Sequence, residues 1–424
     1  MNLRKVLSSR SVKDFSSLFF SNILQKICGL VREPVIAYFF GTSLLYANYL
    51  VLRTVANFFS QFTVGNALKA NLLPKFTKIY ESHQIVSLKK VFVFSNKVMI
   101  TLFLISQVLQ TSIILYLDSD YTLELIIVSL LLSISICFNF FNMVYLTIMQ
   151  AQGKFLKYSI ATSLNSIIVA MFIYPFTYFI GIFGLVVSRL LGIITLTISY
   201  IIPMNKRNDG YEVSFSRNDL SIPILVLGNF ANIIIVSSQF LSGLDGSRNI
   251  AYFNYSIFIL NAVMTSIIGN ISTLLLRNVS ITKNRSFMYF SLFVSLIVGI
   301  GLVIMLEFFG YDLIKLFFYR GAFTLDDVIQ TTLFIQELSY SFILIFIATT
   351  LFQPFFSLCP SKTRRQRNIM CWIFLLLIFG GIVSLHYVDI IDSKMKSLIL
   401  IYSSSFISIL LSIYSYLIYL EIEK

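Results

Sequence analysis

Charge is scarce in this chain: Asp, Glu, Lys and Arg make up 12% of its 424 residues, and acids are outnumbered, 19 against 32 basic residues. So few charged side chains cannot cover a soluble domain of this size, and a mean hydropathy of +0.85 marks an integral membrane protein. Histidine is rarer still. Only His83 and His386 occur, neither with Cys, Asp or Glu at ligand spacing, which argues against a metalloenzyme. Cys28, Cys137, Cys359 and Cys371 have no paired spacing and read as small apolar residues, not as a disulfide or metal set. Ten-residue alternating segments separated by polar turns are absent, which excludes an outer-membrane barrel. No G-x-x-x-x-G-K-[ST] run occurs, which argues against ATP coupling within this chain. The opening MNLRKVLSSRSVKDF is basic, but the apolar run after it is long and lacks a small-residue cleavage site, so it reads as a helix start and not as a removed signal.

What the chain does have is long apolar runs rich in Leu, Ile and Phe. A hydrocarbon core of about 30 Å takes about 20 such residues as a helix. Cutting at charged or Gly/Pro-containing breaks gives about twelve spans, at residues 15–40, 45–73, 90–117, 122–149, 155–180, 182–203, 219–242, 250–276, 286–309, 328–357, 368–388 and 396–420. The expected fold is an all-α integral membrane protein with about 12 transmembrane helices. Lysines and arginines separate into alternate loops, as positive-inside orientation requires. One set holds Arg4, Lys5, Arg10 and Lys13, then Lys75, Lys78, Lys89 and Lys90, and later Lys206, Arg207, Arg217 and Lys362 to Arg367. The other holds few bases, Arg248 and Arg320 among them, together with Asp118, Asp120, Asp245, Asp389 and Asp392. Both termini are therefore cytoplasmic. The same scatter leaves no single basic stripe for a phosphate backbone, so nucleic acid is excluded as a partner.

A weak internal repeat is visible. Tyr46-Ala47-Asn48-Tyr49 opens the second span and Tyr252-Phe253-Asn254-Tyr255 opens the eighth, each followed by a Gly-Asn pair, Gly65-Asn66 and Gly269-Asn270. An even number of spans between the copies makes the halves parallel repeats about an axis along the membrane normal. The expected organisation is an N-lobe over 1–204 with helices one to six, a cytoplasmic inter-lobe loop over 205–218, and a C-lobe over 219–424 with helices seven to twelve.

Basic residues remain inside the spans: Lys26, Arg32, Arg53, Lys69, Lys97 and Arg189, the first four all in the first two helices. A charge near the bilayer centre costs roughly 2.5 to 3.5 kcal/mol on insertion scales, so such groups face a protein interior or a wet cavity. At about 100° per residue, Asn22, Lys26 and Glu33 share one face of the first helix, Gln25 and Arg32 another, while Arg53, Asn57 and Ser60 line one stripe of the second. On a purely structural reading Glu33 pairs with Lys26 or Arg32 and the polar stripe cements helices, but one acid cannot neutralise Lys26, Arg32 and Arg53 together. A net positive lining implies an anionic ligand, and arginine forks suit phosphate oxygens. Lys69, Lys97 and Arg189 read equally well as snorkelling to an interface. Asparagines such as Asn142, Asn229, Asn232 and Asn254 either extend the polar lining or join helices.

GLVREPVIAYFFG at 29–41 resembles the first-helix motif, G-x-x-R-[DE] closing on F-G, of the MurJ (MviN)-like lipid II flippases, a branch of the multidrug/oligosaccharidyl-lipid/polysaccharide (MOP) exporter superfamily. The likeness continues through NLLPKFTKIY at 71–80, and LFFYRGAFTLDD at 316–327 resembles the family's external R-G-x-F-T segment. The resemblance implies a V-shaped pair of six-helix lobes around a cationic cavity that opens alternately to each side and moves an undecaprenyl-diphosphate-linked glycan across the bacterial inner membrane. Lys26 and Arg32 match the family's first-helix arginines and Glu33 its following acid. Elsewhere the pattern is lost: the family's second-helix arginine pair falls on Ser60 and Gln61, its glutamate on Gly65, and its eighth-helix aspartate-arginine pair on Tyr255 and Ser256. Arg53 has no family counterpart, and the two C-terminal helices that form the family's lipid-tail groove are not expected here.

The function expected is a flippase of the bacterial cytoplasmic membrane, not an enzyme. Its substrate-binding residues are Lys26, Arg32, Glu33, Arg53, Asn57 and Lys69, its partners the lipid-linked glycan diphosphate and membrane lipids, and its neighbours in the pathway a glycan polymerase or glycosyltransferases. No cofactor is expected; a coupling ion, H+ or Na+, or the membrane potential would drive it. An O-antigen or capsular repeat-unit flippase is the alternative within the class. A drug antiporter would need acids inside the spans where this chain has bases, and a membrane glycosyltransferase would need a large external loop with acids and histidines.

Overall fold

The computed structural model describes residues 10–64, 72–73, 76–77, 79–80, 85–117, 120–205, 212–213, 222–269, 271–272, 275, 285–358 and 363–422. A helix occupies each expected span: α1 (Arg10–Phe40), α2 (Leu44–Val64), α3 (Leu88–Leu117), α4 (Thr122–Ala151), α5 (Phe155–Ile180), α6 (Ile182–Leu196, continuing through a π-turn at Thr197–Ile201 into Ile202–Asn205), α7 (Ile222–Gly228 and Phe230–Leu241), α8 (Asn249–Val263, then a π-turn at Met264–Ile268), α9 (Arg285–Phe318), α10 (Leu325–Ser357), α11 (Arg364–His386) and α12 (Ser393–Ile422). Among the described residues, 9 helices are long and apolar enough to cross a membrane. The other three are explained locally: α1 carries charges, the described part of α2 carries Arg53 with Asn48, Asn57 and Gln61, and α7 is interrupted at Asn229, whose φ of −117° and ψ of 14° leave the helical region.

By contact the chain forms two compact units, Met1–Phe39 with Val55–Gly228, and Phe40–Thr54 with Asn229–Lys424. The first unit is built on α4 and α6, with Phe140, Phe141, Tyr145, Ile148 and Leu196 in its core beside Leu72, Phe76 and Val86. Asn142 of α4 sits at the π-turn of α6, where its Nδ2 donates to the Ile193 carbonyl at 3.2 Å and its Oδ1 accepts from Thr197 Oγ1 at 2.8 Å. An intramembrane amide satisfied in this way joins helices and is not a lining group. A two-residue parallel ladder, β1 (Ile85–Val86) with β2 (Glu212–Val213), ties the segment after α6 to the segment before α3.

The second unit is organised on α10, which packs against α8, α9 and α12. Its start is a capping box: Thr324 Oγ1 accepts from the Asp327 amide at 3.3 Å and Asp327 Oδ2 accepts from the Thr324 amide at 2.8 Å. Its end is held by Arg367, 4% exposed, whose Nη2 donates to the carbonyls of Phe355 at 3.2 Å and Leu358 at 3.0 Å. Orphan carbonyls at a helix C-terminus are thereby given a cation. Along α12 a row of serines is buried, including Ser397, Ser408, Ser412 and Ser415, and each of these bonds a carbonyl of its own helix at 2.7 to 2.8 Å.

Candidate functional site

Arg32 lies about 12 Å along the axis of α1 from its Phe40 end. Glu33 is 2% exposed and Arg32 27%, and the guanidinium folds back along the helix so that Nη2 reaches Glu33 Oε1 at 2.6 Å and Nε reaches the same oxygen at 3.0 Å. The two residues leave the helix on different faces; the long arginine side chain closes the gap. A buried carboxylate in this position fixes the guanidinium plane and leaves the side chain partly exposed, so that it can still donate to the oxygens of an anion.

The other polar face of α1 has a structural explanation. Ser21 is buried against α5, its Oγ 2.8 Å from Ser163 Oγ and 3.1 Å from the Ser159 carbonyl, while Gln25 Nε2 donates to Ser21 Oγ at 2.9 Å and to Thr162 Oγ1 at 3.2 Å. Gln25 therefore belongs to a helix–helix contact, and Arg32 is the ligand-competent member of that face. Lys26, the residue after Gln25, is half-buried. Arg53 and Asn57 are half-buried, four residues apart on one stripe of α2. Lys69 lies outside the described residues.

Positions where the resemblance put an aspartate-arginine pair are packed solid: Tyr255 and Ser256 are both 0% exposed, the first donating its hydroxyl to the Gly41 carbonyl at 2.9 Å and the second to the Thr331 carbonyl at 3.2 Å. Asn254 likewise bridges helices, Nδ2 to Tyr46 Oη at 3.2 Å and Oδ1 from Gln239 Nε2 at 3.3 Å. The two copies of the Tyr-x-Asn-Tyr repeat thus touch, with the Tyr46 and Tyr255 rings 6.0 Å apart.

The chain was compared with known proteins. No family model matches it, and no curated protein does. Among solved structures it is similar to a lipid II flippase MurJ in an inward closed conformation, with a TM-score of 0.74 and 18% identity over 94% of this chain and 87% of that one. The chain shares the fold of that structure. A multidrug resistance MATE family transporter of the MOP superfamily matches in its inward-facing conformation with a TM-score of 0.71 and 12% identity over 94% of this chain and 96% of that one. An outward-facing MATE structure matches with a TM-score of 0.61 and 14% identity over 95% of this chain and 93% of that one. These neighbours are transporters and not enzymes.

Sequence reasoning missed one buried polar centre altogether. Asp327, 5% exposed, accepts from Thr42 Oγ1 at 2.6 Å and from Tyr252 Oη at 3.4 Å through Oδ1, while Oδ2 serves the α10 cap. The signal available was Thr-x-x-Asp inside RGAFTLDD, which announces the cap but not the partner, 285 positions away.

Proposed function

We propose that this MOP-fold transporter is an alternating-access flippase for an undecaprenyl-diphosphate-linked glycan, lipid II or a similar peptidoglycan precursor, in the bacterial cytoplasmic membrane. The observation that carries the reading is Arg32, a guanidinium inside a membrane-crossing helix, oriented by the buried carboxylate of Glu33 at 2.6 Å and 27% exposed. In this reading Lys26, Arg32 and Arg53 hold the diphosphate, Glu33 aims Arg32, and Asn57 and Lys69 add contacts to the head group. Several moderate contacts suit a carrier, which must strip water from the head group and still release it. An ion gradient, H+ or Na+, or the membrane potential drives the cycle, and a glycan polymerase or glycosyltransferases act on the same lipid. Support comes from the similarity to a lipid II flippase over 94% of this chain.

One observation favours a second substrate within the class. The family's second-helix and eighth-helix charges are replaced, and the latter positions here are buried packing residues, Tyr255 and Ser256. A glycan held differently, such as an O-antigen or capsular repeat unit, fits that change.

The test is complementation of a strain depleted of its own lipid II flippase. The intact chain restores growth and the Lys26→Gln/Arg32→Gln double variant, expressed at the same level, does not. Full activity of that variant sinks the site assignment. Failure of the intact chain to restore growth, with rescue of a capsule-flippase mutant instead, selects the second substrate.

A further inference from the structure

Arginine stands at the start of α11 against the local electrostatics. The first four residues of this helix include Arg364, Arg365 and Arg367, and no acid occurs anywhere along it. A helix N-terminus carries about half a positive charge, so further cations there are disfavoured and an anion is favoured. Arg367 is turned inward to the carbonyls of Phe355 and Leu358. Arg364 and Arg365 are exposed, and among the described residues no carboxylate pairs with either. Their charge is left for a group outside the chain.

Helical spacing sorts the rest of α11 into two stripes. Met370, Cys371, Phe374 and Ile378 are buried, and the helix packs on α12 and α7. Arg365, Trp372 and Leu376 lie on the opposite stripe. Trp372, the only tryptophan of the chain, is 65% exposed, and Leu376 is exposed one turn further along. Arg365 and Trp372 are seven residues apart, two turns on one face and about 10 Å along the axis, with Asn368 exposed between them. Guanidinium, amide, indole and aliphatic side chains thus follow one another from the helix start inward. An anionic phospholipid presents its groups in the same order: phosphate, glycerol esters, acyl chains. The loop charges put this end of α11 on the cytoplasmic side, where the lipid surface carries a negative potential. A soluble anion would need only the arginines and would leave the indole and aliphatic stripe beneath them without a part.

We propose that Arg364, Arg365, Asn368 and Trp372, at the cytoplasmic end of α11, form a binding site for a diacyl phospholipid with an anionic head group. The two guanidiniums take the phosphate, the Asn368 amide and the Trp372 Nε1–H donate to the ester oxygens, and the first chain carbons lie along Leu376. Arg367, on the same turn as the phosphate-binding pair, fastens the start of α11 to the end of α10, so the bound lipid braces that joint from outside. The site uses none of the residues assigned to the transported substrate and does not depend on what is carried.

As the sole tryptophan, Trp372 reports on its own site. The full-length chain is reconstituted in phosphatidylcholine containing brominated phosphatidylglycerol, and quenching of tryptophan emission is compared with that from brominated phosphatidylcholine at the same mole fraction. Each basic group near an anionic lipid gives about a fivefold preference, so two predict about twenty-five-fold for phosphatidylglycerol at this position. Arg364→Gln/Arg365→Gln is expected to bring the ratio close to one, and Arg364→Lys/Arg365→Lys to keep most of it. Salt at about 1 M, where the Debye length is about 3 Å, is expected to weaken the preference severalfold in the unaltered chain, an arm that needs no variant to fold. Equal quenching by the two brominated lipids in the unaltered chain overturns the site and leaves Trp372 an interfacial anchor. A preference unchanged in the glutamine variant, or unchanged by salt, overturns it as well. Transport is not measured, so no outcome bears on the flippase reading.

Discussion

Replacing Gly41 by alanine is the most economical probe of the place where the turn between α1 and α2 meets the turn between α9 and α10. The backbone there has φ +49°, a left-handed conformation that costs an L side chain about 1 to 2 kcal/mol. The new Cβ would also lie 2.3 Å from Ala322 O and 2.7 Å from Ala322 C, about an ångström inside ordinary contact and against backbone, not against a side chain that can swing away. The two turns must separate. Separation stretches the Thr42–Asp327 bond of 2.6 Å, worth about 1.5 to 3 kcal/mol as a bond to a charged acceptor, and the Tyr255–Gly41 bond of 2.9 Å, worth about 1 kcal/mol. The sum is about 3 to 6 kcal/mol. Gly246 supplies the control: its φ is +70° but a Cβ there meets nothing within 4 Å, so Gly246→Ala should cost only about 1 to 2 kcal/mol. Melting of the purified proteins in detergent should place Gly41→Ala below Gly246→Ala by roughly 4 to 10 °C. Equal midpoints would refute the close approach and with it the magnitude assigned to the turn contact.

Other expectations are simpler. Arg367→Met removes the donor to Phe355 and Leu358 and a cation over the Phe355 ring at 5.2 Å, and should destabilise the chain by about 2 to 4 kcal/mol, with faster proteolysis just after α10; an unchanged melting curve and digestion pattern would contradict the capping role. A double-mutant cycle between Ser21→Ala and Ser163→Ala should give a coupling of about 1 kcal/mol, because their hydroxyls lie 2.8 Å apart; additive losses would mean that α1 and α5 are not joined there. Asn142→Leu should cost about 1 to 2 kcal/mol in thermal stability while leaving complementation intact, since its amide joins α4 to α6; loss of transport without loss of stability would return Asn142 to the polar lining.

Apolar length made most helices legible from composition alone. The expected spans 122–149 and 155–180 coincide closely with Thr122–Ala151 and Phe155–Ile180, because hydrophobic thickness sets both ends. Errors fell where polar side chains sit inside helices. The ninth span is expected to end at 309, where charged and Gly-containing sequence begins, yet α9 runs to Phe318, with Lys315 lying beside the Tyr311 and Tyr319 rings at 5.6 and 6.0 Å. A cation near a helix end is accommodated by snorkelling and does not stop the helix. The seventh span was expected to be continuous and is broken at Asn229. For the candidate site, helical angles separated Arg32 from Glu33, but the rotamer that reunites them at 2.6 Å is set by burial of Glu33, which periodicity does not encode. The meeting of Thr42 with Asp327 spans 285 positions and depends on tertiary packing that no local pattern reports.

The serine row of α12 has a mechanical consequence. Hydroxyls at Ser397, Ser408, Ser412 and Ser415 are spent on carbonyls of their own helix, so along these residues the surface that α12 offers to its neighbours is smooth and carries no directional bond. Sliding such a helix by a fraction of a turn breaks only dispersion contacts, each about 0.1 to 0.2 kcal/mol per atom pair, and remakes similar ones. The directional bonds from α12 to its neighbours come from other side chains, Ser393 with Asn249 at 2.7 Å, Lys394 with Glu337 at 2.7 Å and the Tyr402 hydroxyl to the Glu337 carbonyl. The helix is pinned over about its first three turns, to Tyr402, and past that point Ser408, Ser412 and Ser415 add no further pin.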